Sequence, residues 1–448
     1  MNRIIRILGV DKAIRYVIFG KVISVLTGLL LILLISHFLS KETQGYYYTF
    51  NSVVALQIIF ELGLSTVLIQ FASHEMSALK YDFSARDVIG ESINKRRYLS
   101  LFRLAVKWYA AIALLIISIV GPAGYVFFSQ ENVSTVHWQG AWIILTITTA
   151  INIFLVSIIS IAEGTGLVTE VNKMRMYQAL LAGMLAVSLL VCGFGLYATS
   201  AIAVSGSVVF SLFAYRHFKN IAFESLKSKN KSKNSKCNIS WVNEIFPMQW
   251  RIALSWISGY FIYFIMTPIA FKYFGAAYAG RLGMSLTLCN MVMATGLAWI
   301  STKYPGWGVM VSNKQKAELN KSFKNAVMQS LFFVLAGLIG VYIVLWCLKL
   351  SGSNIGDRFL GMQDFLFLSL AISGNHLVAC LATYIRAHKT EKMTLASSIM
   401  AILTITTMWI IAYSGKSGLY MLMYAGLTWL YFVPQTYIIF KKFKSSYV

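Results

Sequence analysis

The sequence predicts an all-α polytopic membrane protein, and three observations carry that prediction. The 448 residues are 58% hydrophobic and have a mean hydropathy of +0.67, above what soluble domains usually show. About a dozen apolar runs fill nearly the whole chain, each close to the roughly 20 residues that a membrane-spanning helix needs. These runs are continuous, whereas strands of a membrane β-barrel alternate apolar and polar residues. The predicted spans are 16–39, 48–72, 104–128, 140–162, 176–197, 200–218, 249–273, 279–302, 326–348, 363–385, 394–413 and 419–440.

The basic residues predict how these twelve spans are oriented. The formal net charge is +23, and most of the 39 lysines and arginines fall on the side that carries the N-terminus. The opposite loops hold only Lys41, Lys272, Arg281, Lys349, Arg358 and Lys416. Because cytoplasmic loops carry the excess of Lys and Arg, both termini are predicted to be cytoplasmic. The charge therefore records membrane topology and does not indicate nucleic-acid binding.

A lysine-rich polar segment, 219–247, divides the chain into two halves of six spans each. The octet 38–45 leaves span one and enters span two, and the octet 273–280 has the same place in the second half. Each half contains an even number of spans, so both halves begin in the cytoplasm and would form parallel repeats. We predict an N-terminal six-helix bundle at 1–218, a cytoplasmic linker at 219–247 and a C-terminal six-helix bundle at 248–448.

Glu61 is a lone carboxylate near the middle of the apolar run 50–72. An ionisable group at bilayer depth costs a few kcal/mol, so it usually faces a partner or a wet cavity. In a continuous helix, Gln57, Glu61 and Ser65 would share one face because they are four residues apart. Glu61 is thus either a buried structural hydrogen-bond acceptor or a functional position in a cavity, and we predict the latter.

Three cations are candidates for binding an anionic substrate. Lys21 lies near the cytoplasmic end of span one, where it would either extend to the surface or point inward. Arg251 and Arg281, like Lys272, lie at the ends of spans seven and eight. They would either anchor the helices at the membrane interface or hold a diphosphate by charge-assisted hydrogen bonds.

Span seven contains an aromatic stripe, Trp256, Tyr260 and Tyr263, followed by Pro268, which is expected to kink the helix. The stripe would either line a sugar-binding surface or serve ordinary helix packing. His376 in span ten is either a structural residue or a proton relay, since its ordinary pKa lies near neutrality.

Signatures of catalysis are missing from the sequence. There is no glycine-rich phosphate loop with a lysine, no HExxH motif and no nucleophile elbow. The five cysteines are scattered without metal or redox spacing, so we predict no disulfide, no metal site and no cofactor. The loops on the outer side are too short to seat a reacting sugar. The sequence therefore predicts a protein that is not an enzyme.

Five segments carry a resemblance to a known family over essentially the whole chain. They are Gly45-Tyr-Tyr-Tyr-Thr-Phe-Asn51, 60–64, 247–260, 279–284 and 299–305. With twelve spans in two halves, the chain resembles the polysaccharide transporters of the MOP superfamily. These include O-antigen and capsule-unit flippases, and the multidrug MATE exporters are their distant relatives. The lipid II flippases of the superfamily have fourteen helices and fit less well.

The resemblance implies two six-helix bundles around a central hydrophilic cavity, lined by helices one, two, seven and eight. In such flippases the cavity is often cationic, and Lys21, Arg251 and Arg281 are the matching residues here. Glu61 does not fit a purely cationic cavity, and it would instead bind a coupling proton or sodium ion. The expected function is to flip an undecaprenyl-diphosphate-linked oligosaccharide across the bacterial inner membrane, for lipopolysaccharide or related polysaccharide assembly.

Two other functions stay open at this point. A MATE-type exporter of cationic drugs would have the same fold, but it would need more acids than cations in the cavity. A membrane glycosyltransferase or polymerase belongs to another class. The expected partners are the lipid-linked oligosaccharide, membrane lipids and other membrane proteins of polysaccharide assembly.

Overall fold

The structure is a computed structural model that describes residues 12–130, 136–227, 239–388 and 390–446. In these residues ten helices are long and apolar enough to cross a membrane. The bent pair of helices at residues 41–61 and 64–78 would be an eleventh span, and it coincides with predicted span two. The last predicted span, 419–440, is helical as well. The predicted all-α class is confirmed, and each predicted span coincides with a helix or a broken helix.

The first half of the chain contains nine helices in its described residues. In order they are α1 Lys12–Phe38, α2 Lys41–Val54, α3 Gln57–Glu61, α4 Leu64–Glu75, α5 Ser92–Leu115, α6 Gly121–Ser129, α7 Gln139–Gly164, α8 Val168–Val191 and α9 Ala201–Lys227. A π-helical turn at Ile116–Val120 joins α5 to α6. Between α4 and α5 the strands β1 (Leu79–Asp82) and β2 (Asp87–Gly90) form an antiparallel hairpin, which hydropathy did not predict.

The second half contains eight described helices. They are α10 Phe246–Tyr263, α11 Met266–Phe274, α12 Ala276–Ser312, α13 Lys316–Leu350, α14 Met362–Ala387, α15 Thr394–Tyr413, α16 Tyr420–Leu427 and α17 Val433–Ser446. Span seven is broken between α10 and α11 at residues 264–265, four residues ahead of Pro268. A proline cannot donate to the carbonyl four residues earlier, and its ring clashes with that carbonyl. The α-helix is therefore interrupted where the proline was expected to disturb it, although residues 252–274 still form one span.

By internal contacts the chain divides into two compact units. Unit 1 comprises Met1–Phe38 and Val53–Trp256, and unit 2 comprises Leu39–Ser52 and Ile257–Val448. This division differs from the predicted bundles at two places. The first part of span two packs within unit 2, and the first part of span seven packs within unit 1. Hydropathy could not show this exchange, because it locates a span without showing which helices the span contacts.

The polar linker is also shorter than the predicted 219–247. Helix α9 extends into it, and helical structure resumes at Trp241. Glu224 on α9 forms an ion pair with Lys95 of α5 at 2.8 Å. This ion pair holds the end of α9 against α5. Residues 228–238 lie outside the described part of the chain.

Within unit 2, the two octets that suggested internal repetition lie at a close helix crossing. A side chain on Gly45 of α2 would collide with the backbone of Ala276, and a Cβ on Gly280 of α12 would lie 2.8 Å from the Gly45 nitrogen. The side chain of Gln44 donates to the Gly280 carbonyl at 2.9 Å. Small residues let membrane helices approach this closely. The one residue shared by the octets is therefore glycine because backbones meet there.

Candidate functional site

Glu61 is the last residue of α3 and is buried within unit 1, with 9% of its surface exposed. The Tyr109 hydroxyl of α5, itself fully buried, donates a hydrogen bond to Glu61 Oε1 at 3.1 Å. Ser65 of α4 lies within hydrogen-bonding reach of the same hydroxyl. A hydrogen bond to a carboxylate is roughly twice as strong as one between neutral groups. Tyr109 therefore gives the buried Glu61 carboxyl group a hydrogen-bond partner.

The helix that carries Glu61 is broken immediately after it. Leu62 and Gly63 both have left-handed backbone conformations, with φ of 54° and 66°. For a leucine this conformation is an outlier that costs about 1–3 kcal/mol, and such strain clusters at functional sites. The two parts of the span, residues 41–61 and 64–78, are bent by 43°.

This break corrects the predicted arrangement of Gln57, Glu61 and Ser65. They do not lie on one face of a continuous helix, because the left-handed residues reorient the chain between Glu61 and Ser65. Gln57 is half-buried at the start of α3, which is separated from α2 by a further turn.

Close packing against the first part of span seven holds the break in place. An ideal Cβ on Gly63 would lie 2.5 Å from Ile252 Cγ2 and 3.0 Å from the indole of Trp256. Position 63 therefore requires glycine for two reasons, its positive φ and this contact. The Trp256 indole, predicted to line a sugar site, therefore packs directly against the helix break at Gly63.

A cluster of ion pairs, called the ionic clamp below, joins the end of α4, the start of α5 and the residues just ahead of α10. Arg97 of α5 contacts Glu75 of α4 at 3.1 Å and Glu244, just ahead of α10, at 2.8 Å. Glu244 also accepts the Ser240 amide at 2.9 Å. Burial alone would raise the pKa of Glu244, but the Ser240 amide and the Arg97 guanidinium outweigh it and lower this pKa. The cluster fixes α4, α5 and the start of span seven around the Glu61 site.

Comparison with known proteins identifies the fold but no closer relationship. No protein family and no curated protein matches the sequence. A MATE multidrug transporter, DinF-BH, in complex with R6G matches with a TM-score of 0.60 and 14% identity, over 95% of this chain and 93% of that one. The chain has the MATE fold. At this identity the likeness establishes the fold alone.

Two further solved structures match the fold of the chain. One is the inward-facing conformation of a multidrug resistance MATE family transporter of the MOP superfamily, with a TM-score of 0.57, 14% identity and coverage of 93% and 99%. The other is a MOP superfamily transporter from Pyrococcus furiosus, with a TM-score of 0.57, 13% identity and coverage of 97% and 95%. It is described as having a binding pocket of reverse polarity, suggesting a different function.

The three predicted cations lie on three different helices, α1, α10 and α12. Lys21 is exposed on α1 in unit 1. Arg281 in unit 2 is half-buried beside the Tyr278 ring, 5.6 Å from its centre, and its Nε makes no hydrogen bond among the described residues. The Arg251 side chain lies outside the described part of the structure. The roles of these three cations stay predictions.

The aromatic stripe of span seven is divided between the units. Trp256 packs in unit 1, whereas Tyr260 packs in unit 2, where only 2% of it is exposed. The Tyr260 hydroxyl donates to the Ser52 carbonyl at 3.3 Å, and its ring stacks on Phe264. Tyr263 is half-buried. The Tyr260 ring is thus buried against protein, and a sugar-binding role for the stripe stays a prediction.

Sequence reasoning missed Tyr109, Arg97 and Gly63. A tyrosine in an apolar run and an arginine near a span end are both common, so neither carried a signal of its own. The described residues contain no group of three His, Cys, Asp or Glu side chains placed to hold a metal ion. The site is therefore a single buried carboxylate with a hydroxyl donor beside a strained helix break.

Proposed function

We propose that this protein is a membrane transporter that flips a lipid-linked diphosphate oligosaccharide, with Glu61 as the site that binds the coupling ion. The observation that carries the proposal is a buried carboxylate beside a left-handed break, in a chain that has the MATE fold. Discontinuous membrane helices are typical of ion and substrate sites in transporters. No covalent chemistry is required of such a protein.

The chemistry of the substrate explains why a protein would be needed. An oligosaccharide carries many hydroxyls, and each one that loses water without finding a partner costs a few kcal/mol. About ten such groups would raise the barrier to unaided crossing to tens of kcal/mol. A polar path for the head group removes this barrier while the lipid tail stays in the bilayer.

The balance of charges favours an anionic substrate over a cationic drug. The three candidate cations, Lys21, Arg251 and Arg281, outnumber the one acid, Glu61, whereas an exporter of cationic drugs would need the reverse. A MATE-type exporter is nevertheless the second candidate, because the matched MATE structures are multidrug transporters.

Glu61 would couple an ion to movement through its local contacts. As a carboxylate it accepts the Tyr109 hydroxyl and attracts a proton or a sodium ion. When a proton neutralises it, the hydrogen bond from Tyr109 weakens and the contact between α3 and α5 loosens. The strained turn at residues 62–63 is then the place where the helix is expected to change its bend.

The test uses proteoliposomes that contain a fluorescent polyprenyl-diphosphate disaccharide. Translocation is followed by whether an externally added lectin or glycosidase reaches the sugar, with and without an imposed pH or sodium gradient. We expect protein-dependent translocation that one of the two gradients accelerates. A parallel set of vesicles is loaded with a cationic dye to measure export.

Dye export without sugar translocation would replace the flippase proposal with the exporter. If neither substrate moves while the protein remains folded, the transport proposal fails. Glu61→Gln in the same vesicles separates the site from the function. Gradient-independent translocation by this variant would support Glu61 as the coupling residue, whereas unchanged coupling would remove it from that role.

The proposed location is a bacterial inner membrane with both termini cytoplasmic. Two reporter fusions at residue 446 test this orientation. The first reporter is active only in the cytoplasm, and the second is active only outside it. Activity of the second fusion alone would reverse the orientation.

A further inference from the structure

A cavity of about 410 Å³ lies within unit 2, where the ends of four helices converge. It is bounded by the end of α12, the start of α13, the end of α14 and the end of α17. This volume falls in the range of pockets that hold small molecules. All four helix ends lie on the side that the lysine and arginine distribution assigns to the cytoplasm.

The rim of this cavity is cationic. Lys314, Lys316 and Lys444 contribute three ammonium groups, and no Asp or Glu belongs to the described residues that line it. The nearest acid along α13, Glu318, is not part of the lining, and Glu391 is paired with Arg386 at 2.9 Å. The described side chains that line the rim therefore carry three positive charges and no negative charge, which favours an anion.

Neutral donors complete the polar side of the cavity. The Tyr384 hydroxyl donates to Asn320 Oδ1 at 3.0 Å, so the Asn320 amide nitrogen keeps its N–H groups for another acceptor. His388 Nδ1 lies 3.0 Å from the Tyr384 carbonyl, which can only accept, so Nδ1 carries a hydrogen. These bonds hold both side chains in fixed orientations at the cavity wall.

The remaining wall is apolar and firmly packed. Leu319 and Phe443 belong to the buried cluster at this end of unit 2, and Met310 packs against it. The His388 ring makes an edge contact with Phe443 at 5.1 Å. A cavity with a cationic rim and an apolar wall at the membrane surface matches the chemistry of a phosphate joined to a lipid.

We propose that this cavity binds a phosphate-bearing anion, with Lys314, Lys316 and Lys444 as its charge partners. Basic pockets between membrane helices on the cytoplasmic side bind anionic lipid head groups. The same chemistry accepts soluble phosphate, so the source is decided by experiment. The site is separate from Glu61, which belongs to unit 1, and it does not depend on the proposed flippase activity.

The experiment measures binding to the full-length purified protein by native mass spectrometry and by ligand-induced shifts in the unfolding temperature. The probes are phosphatidylglycerol, phosphatidylcholine and inorganic phosphate. The cavity variant is Lys314→Gln, Lys316→Gln and Lys444→Gln together. The control variant is Lys321→Gln, Lys441→Gln and Lys442→Gln, which removes the same charge from exposed positions of the same side that do not line the cavity.

We expect saturable binding of phosphatidylglycerol but not of phosphatidylcholine to the wild type and the control variant. At about 1 kcal/mol for each basic residue near a membrane surface, removing one lysine weakens binding about fivefold and removing three weakens it about a hundredfold. Binding of inorganic phosphate with the same lysine dependence, without lipid preference, would assign the site to a soluble anion. Equal losses in the cavity and control variants, or no saturable binding of either phosphate probe, would overturn the proposal.

Discussion

The two units each bury a polar centre, and the two centres differ in charge and in the helix that carries them. In unit 1, Glu61 is a potential anion at a strained helix break, held by Tyr109. In unit 2, His376 lies inside the unbroken helix α14 and is fully buried. Its Nε2 lies 2.8 Å from the Ser330 hydroxyl and 3.6 Å from Cys380 Sγ.

The hydrogen bonds around His376 fit a neutral ring. Ser330 donates its only proton to the Gly296 carbonyl at 2.7 Å, so its oxygen must accept from His376 Nε2. Nδ1 makes no hydrogen bond among the described residues, as fits a neutral ring whose single N–H is on Nε2. A neutral ring in a regular helix fits the structural role that was one of its two interpretations. The proposed ion-binding role therefore stays with the strained Glu61 centre, and the His376 centre fits a packing role.

The largest expected difference is in translocation, between a variant with glutamine at Glu61 and one with glutamine at His376. Coupling between two ligands is worth about 1–3 kcal/mol, so Glu61→Gln should reduce gradient-driven translocation by roughly 5- to 150-fold. His376→Gln should leave it close to wild type, if that centre has the structural role. Translocation in gradient-loaded vesicles measures both, with gel filtration as the check on folding. A greater loss in His376→Gln would reverse the assignment.

Removing the ionic clamp should destabilise the helices around Glu61. Arg97→Gln leaves Glu75, only 6% exposed, without its cation. Breaking a buried pair costs about 3–5 kcal/mol, and we expect about 3 kcal/mol because Arg97 is a quarter exposed. Arg386→Gln is the control, because its pair with Glu391 is more exposed and should contribute at most about 1 kcal/mol. Unfolding in detergent measures both variants.

The same clamp predicts a pH dependence. The pKa of Glu244 is lower in the folded protein than its usual value. Its stabilising contribution is therefore fully present above the usual carboxyl pKa and is lost as pH falls through the lowered value. Arg97→Gln should flatten this acid limb of the stability curve, and an unchanged limb would show that other carboxyls produce it.

A side chain at the helix break should cost somewhat less than loss of the clamp. Gly63→Ala places a Cβ on a residue with positive φ and against Ile252, so we expect a loss of about 2 kcal/mol. Gly259→Ala is the matched control on the neighbouring helix α10. A Cβ there meets no atom within 4 Å, and alanine should gain about 0.5–1 kcal/mol as the better helix former. Equal stability of the two variants would show that the break is not strained.

The smallest expected effect concerns the two tyrosine hydroxyls. Tyr109→Phe removes a donor to a charged group, and the cost should be about 1.5 kcal/mol, at the lower end for such bonds because the distance is 3.1 Å. Tyr424→Phe, which removes the hydroxyl that accepts from Asn375 at 2.9 Å, should cost about 1 kcal/mol and leave coupling unchanged. If Glu61→Gln abolishes the cost of Tyr109→Phe in a double-variant cycle, the bond to Glu61 is its cause.

Much of the fold follows from hydropathy and charge, since both are properties of short segments. The spans were predictable because about 20 consecutive apolar residues have few alternatives to a membrane helix. Glu61 was identifiable as a polar centre because a carboxylate in such an apolar run must find a hydrogen-bond partner or water. The Pro268 break was identifiable because a proline removes a donor wherever it occurs.

The tertiary structure alone decided which groups meet. Tyr109 lies in the span after Glu61, and only helix packing brings its hydroxyl to that carboxylate. Arg97 forms ion pairs with acids from two other parts of the chain. Residues 39–52 belong to unit 2, although their neighbours in sequence belong to unit 1. Burial in a membrane is determined locally by apolar composition. Pairing of polar groups depends on distances between helices, and a single sequence does not encode these distances in any one segment.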